Sequence, residues 1–182
     1  DNINMYTFDE IKDSPISTGW IENLALEEIK MDESGMISLN DHLNPASFLE
    51  ESSINFMNLL RDRFELYISK FNEYRGSGPN STQIRIIKIS NTVNDFMLFR
   101  NTLRLIVMRK SPDLVSIHFI SSGKEIFSPR LNNQGSLPGM AHEIRAHVGP
   151  FNNISWRFLG EVVNVDALVR HYITEFIRSS AK

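Results

Sequence analysis

Apolar positions along this chain recur every three or four residues in some stretches and every second residue in others, and that change of period divides it into elements. The longest helical pattern is Met57, Leu60, Phe64, Tyr67, Phe71 and Tyr74, at spacings of 3, 4, 3, 4 and 3. Ahead of it, Asn44-Pro45 offers a capping side chain and a proline suited to the first helical position. Ser47 and Glu50 form a second capping arrangement one turn later. Arg75-Gly76, followed by Ser77-Gly78-Pro79, supplies a cationic last turn, a left-handed cap and a stop. These signals predict a helix over 45–75, roughly 45 Å long at 1.5 Å per residue. Its stripe lasts under three heptads and is rich in bulky aromatics, so packing on a sheet is expected rather than a coiled coil. Leu60, Phe64 and Phe71 are the expected buried positions.

The stretch 76–82 (GSGPNST) reads as a linker, and beyond it the pattern alternates. Strands are predicted at 84–89 and 95–100, then a hairpin over 102–122 about the turn Ser111-Pro112-Asp113. Shorter strands follow at 125–127, 142–148 and 154–159, with 131–139 a surface loop and Gly160 a bulge. In the hairpin Leu103, Leu105 and Val107 share a face with Val115, Ile117 and Phe119, and that face needs covering. A closing helix is predicted at 165–178, capped by Asn164, with Leu168, Val169, Tyr172, Ile173, Phe176 and Ile177 on one side. The N-terminal part is sparser: an extended arm over 1–17, a short amphipathic helix at 18–30 capped by Thr18, and a short strand at 36–39. The expected fold class is α+β, an antiparallel meander sheet over 84–163 with the long helix and the C-terminal helix packed on one face. Residues 1–43 form an acidic arm in this division, and 44–182 a single domain.

Charge changes the picture more than composition does. The net charge of −3 hides an uneven distribution: residues 1–75 hold 15 Asp and Glu against 6 Lys and Arg, and residues 76–182 hold 7 against 13. Such a split suggests a partner, or pairing between the two halves. Cysteine is absent, which excludes disulfides, thiolate metal sites and thiol catalysis. No run approaches the roughly 20 apolar residues of a membrane helix, so no membrane association is expected and a cytoplasmic chain is.

Motifs for catalysis fail on spacing. His142 and His147 in HEIRAH lie five apart, whereas a helical zinc pair lies four apart, and on a strand they point to opposite faces. Ser121 and Lys124 have a Ser-x-x-Lys spacing, but Gly123 between them marks a turn rather than a helix start. The linker lacks the Gly-Lys-Ser/Thr ending of a phosphate loop. No metal and no cofactor is expected. What survives is strand parity: Arg104, His118, Arg145, His147 and Arg157 all lie opposite the apolar positions of their own strands. If those strands adjoin, one sheet face gathers three arginines and two histidines, with Glu143 as its main anion. An ordinary water-facing sheet is the competing account.

The expected function is therefore a non-enzymatic protein-interaction or regulatory domain whose expected partner is a protein. The alternative is recognition of an anionic ligand, a phosphorylated small molecule or nucleic acid, on the basic face. Trp156 and Phe158 fall on the apolar face, which counts against base stacking. A hydrolase using His142 or His147 with Glu143 comes third.

Overall fold

The computed structural model describes residues 16–37, 41–76, 78–121, 126–127 and 141–181. The arm at 1–15, the last two positions of the strand expected at 36–39, Lys124 and the loop at 131–139 lie outside them. The chain divides into two units, Asp1–Asp41 and His42–Lys182. In the first, helix α1 spans Gly19–Ser34, four residues longer than expected at its C-terminal end. Thr18 precedes it but makes no side-chain capping bond, while Gly35, at φ 67°, closes it with its N–H on the Met31 carbonyl. None of its side chains is buried. Met36 and Ile37 are exposed and not in a strand.

The second unit opens with helix α2, Pro45–Arg75, whose ends fall where the sequence places them. The Asn44 side chain accepts a bond from the Ala46 N–H at 3.0 Å, so the Ser47–Glu50 arrangement is unused. Glu50 instead pairs with Arg109. Gly76, at φ 71° and ψ 177°, ends the helix in an extended left-sided conformation open to glycine rather than in the left-handed helical cap expected. The Asn72 amide then bonds both the N–H and the carbonyl of Ile84, at 3.0 and 2.9 Å, mimicking a strand partner and tying the linker's far end to the helix.

Eight strands follow among the described residues: β1 Arg85–Lys88, β2 Phe96–Arg100, β3 Leu103–Ser111, β4 Leu114–Ser121, β5 Ile126–Phe127, β6 His142–Val148, β7 Ile154–Phe158 and β8 Glu161–Val162. All pairings are antiparallel, in the order β1-β2-β3-β4-β6-β7-β8, with β5 alongside the far end of β4. Helix α3, Val165–Ser180, closes the chain, its first turn capped by Asn164 through a 3.0 Å bond from the Ala167 N–H. The domain is α+β, as the alternation of periods implied.

Both α2 and α3 pack on one sheet face. The core joins Leu103, Leu105, Val107, Val115, Ile117 and Phe119 of the central hairpin to Phe56, Met57, Leu60, Phe64 and Ile68 of α2 and Val169, Tyr172, Ile173 and Phe176 of α3. Phe56 stacks flat on Trp156 at 4.7 Å, and the Trp156 indole N–H donates to Ser52. The buried side of α2 departs from the expected stripe: Tyr67 and Tyr74 are exposed, Ile68 is buried, and Phe71 only half-buried. A 3,4 repeat averages 3.5 residues per turn and follows a supercoil, whereas a straight helix on a sheet turns every 3.6 and drifts roughly 20° per heptad. Eleven residues are close to three full turns at 3.6 per turn, so Ile68 lies above Met57 on the buried side and Tyr67 does not. Gly160 is not a bulge but the second residue of the β7–β8 turn, with Leu159 at φ 49° and Gly160 at φ 84°, the signs of a type I′ hairpin turn.

Candidate functional site

The opposite sheet face carries neither α2 nor α3, and all five candidate residues lie on it. Register shows which of them are neighbours. Arg145 of β6 stands directly opposite Arg157 of β7, and His147 lies opposite Ser155 one pair along. Arg104 pairs with Ile120 of β4, whereas Arg145 pairs with Leu114 of the same strand. Six residues of strand separate those two rows, roughly 20 Å at 3.4 Å per residue. His118 falls between them, opposite Ile106. The structure thus brings Arg145, Arg157 and His147 together and leaves Arg104 near the other end.

At the β6–β7 end, Arg145 is exposed and ion-paired with Glu143 on its own strand. The Arg157 Nε–H donates to Ser155 at 3.1 Å, which fixes the guanidinium along the strand. His147 is exposed. The turn beyond these residues is unusual. Phe151 and Asn152 adopt φ 59° and 56°, and the Asn153 N–H returns to the Pro150 carbonyl at 3.1 Å, so the pair forms the centre of a left-handed turn. Asparagine tolerates that region through its short polar side chain, but phenylalanine does not. Phe151 is also fully exposed, at 102% of its reference area. The Asn152 amide anchors the turn on the Leu43 carbonyl, 3.0 Å away.

The other end is more apolar. Arg104 lies over the Phe99 ring at 5.5 Å, and Arg85 stands opposite Phe99 on β1. His118 sits in a row with Ile106, Met97 and Ile87. Burial pushes its imidazole below the ordinary histidine range, helped by the Lys110 charge, and its Nδ1 has no partner among the described residues. That direction disfavours a positive charge on His118.

Parity separates the other titratable groups. His142 faces the helices: its Nδ1 shares a 2.5 Å hydrogen bond with the Tyr172 hydroxyl, and burial, then the nearby His171, holds it below the usual range. Glu143 faces the other way, so the His142–Glu143 pair of the hydrolase reading is divided by the sheet. Two cations serve packing on the helix side. Arg109 donates through Nε to Ser53 at 2.9 Å and pairs with Glu50. Arg100 is buried over the Phe71 ring at 5.6 Å. Asp95, which sequence reading passed over, accepts the Arg109 N–H at 2.8 Å, and burial raises its pKa. No cluster of three metal-ligating side chains occurs among the described residues, and no helix among them is long and apolar enough to cross a membrane.

Phe99 on this face and Phe151 at the adjoining turn are residues that alternation alone did not single out. The Gly149-Pro150 turn signal and the two asparagines after Phe151 carry the information that a hydrophobic residue sits at a turn tip. Comparison with protein-family models, curated proteins and solved structures finds no match to this chain.

Proposed function

We propose that the sheet unit is a non-catalytic protein-interaction module, and that an acidic segment of a partner protein docks on the sheet face away from α2 and α3, at the β6–β7 end. The observation that carries this reading is the direct cross-strand opposition of Arg145 and Arg157. Like charges at directly opposed positions destabilise an antiparallel pair, so folding stability gives no reason for the arrangement. Two guanidinium forks at such spacing suit carboxylates, which each can hold bidentately. Among the described residues Glu143 pairs with Arg145 and not with Arg157. Phe151, exposed at the adjoining turn, supplies an apolar anchor of the kind that concentrates binding energy at interfaces.

A second reading has its own observation. The Arg85–Phe99–Arg104 row places an aromatic ring between two arginines on the same face, a combination that also serves single-stranded nucleic acid.

Fluorescence anisotropy of the full chain with a labelled glutamate-rich peptide, and separately with labelled oligothymidylate, tests both. The expected result is peptide binding that weakens with salt, since screening reaches about 8 Å at physiological ionic strength. Replacing Arg145 and Arg157 together by glutamine should weaken it by about tenfold or more, the loss expected for one charge-assisted contact. The melting temperature should hold or rise slightly. Peptide binding that survives the double replacement removes the reading, and oligothymidylate binding lost on replacing Arg85 and Arg104 puts the second in its place.

A further inference from the structure

A separate cavity opens on the helix side of the sheet, between its β6–β8 edge and the start of α3, and has a volume of about 530 Å³. That is within the range of roughly 300–1,000 Å³ that holds small organic ligands. Ile144, Phe158 and Leu168 give it apolar walls, with the ring of Tyr172 deeper in. Its mouth is formed by the β7–β8 turn, where Leu159 remains 66% exposed. Leu159 holds a left-handed φ of 49°, a conformation that side chains of its kind rarely adopt. Leu159 gains little burial from this position, so its placement beside an apolar cavity calls for an occupant.

Charge restricts what that occupant can be. Among the described residues no lysine or arginine lines the cavity, and Glu161 at its mouth is the one carboxylate. Glu161 is exposed and makes no ion pair among the described residues. The other polar lining residues are Asn164, His171 and Tyr172; His171 packs edge-on against Tyr172 at 5.5 Å, and Phe158 of the apolar wall lies 5.4 Å from the His142 ring. Aromatic rings beside a carboxylate attract a cation and repel an anion.

We infer that this cavity binds a small cationic amphiphile, an organic ammonium whose apolar body lies between Ile144, Phe158 and Leu168 and whose head meets Glu161. The site is independent of the basic sheet face: it differs in position, in sign and in ligand size.

Three probes with the same phenylbutyl body separate the contributions: 4-phenylbutylamine, 4-phenylbutanol and 4-phenylbutyrate. Calorimetric titration of the full chain should find the amine bound tightest, roughly fivefold over the alcohol as an exposed ion pair permits, and the butyrate weakest. Methyl NMR signals of Leu159, Val162 and Leu168 should shift with the amine. Glu161→Gln should bring amine and alcohol to equal affinity. Ala167→Trp, at an exposed lining position of α3, should abolish binding of all three while circular dichroism and melting temperature stay native. Butyrate binding as tightly as the amine overturns the inference. So does a shift pattern away from the β7–β8 turn, unchanged binding in a folded Ala167→Trp, or no binding of the amine at millimolar concentration.

Discussion

At the scale of single residues, the most informative positions are those where local conformational preference is overruled. Asn91, Asn94 and Asn101 hold positive φ angles that asparagine tolerates, whereas Phe151 and Leu159 hold them against their nature. A left-handed conformation costs an ordinary L-residue about 1–2 kcal/mol. Phe151 recovers none of that through burial, being fully exposed. Phe151→Asn should therefore stabilise the domain by about 1 kcal/mol, the strain relieved at a type I′ position that favours asparagine. Chemical denaturation measures this directly, and an unchanged or lower midpoint would show that the phenylalanine is supported within the fold. The same variant should lose affinity for the acidic peptide, so stability and binding move in opposite directions.

The element that organises the domain is α2, and its helical drift makes a discriminating pair of substitutions. Phe64 is fully buried and meets Phe96 edge-on at 5.6 Å. Phe64→Ala should cost about 3–5 kcal/mol, the range for a buried aromatic truncated in a packed core. Tyr67 belongs to the same 3,4 stripe in the sequence but is 39% exposed. Tyr67→Ala should cost well under half as much, as surface positions usually do. Equal losses at the two sites, measured by urea denaturation, would place the seam of α2 on the heptad line and against a second helix. The unequal result follows from a straight helix lying on a sheet.

For the whole molecule, the buried histidines set a pH dependence. His118 and His142 are both held below the ordinary value of 6.5, chiefly by burial. A group with a depressed folded pKa binds fewer protons folded than unfolded, so stability rises with pH through that window and is lost as pH falls below 6.5. The slope is about 1.4 kcal/mol per pH unit for each proton taken up on unfolding. Asp95, raised by burial above 3.8, acts in the opposite sense nearer its own range. Denaturation midpoints measured from pH 8 down to 5 should therefore be level at first and then fall. A profile that stays level to pH 5 would mean that both imidazoles accept protons in the folded state, His142 despite its bond to Tyr172.

The sequence by itself determined most elements of the second unit, though not the Leu159–Gly160 turn or the short strand β8 after it. Helix α2 could be read to the residue because capping and stop signals at both ends are local, and strand faces could be read because side chains alternate whatever the sheet does. Parity likewise placed all five basic candidates opposite the apolar positions. Which of them meet was a matter of register: Arg145 and Arg157 are twelve positions apart in sequence yet directly opposed, while Arg104 is displaced along the sheet by a pairing that no local pattern encodes. The drift from Tyr67 to Ile68, the burial of His142 and the cavity beneath Leu159 were also decided only by tertiary structure. Each depends on how a surface meets another one distant in the chain, and packing of that kind leaves no periodicity in the sequence to be read.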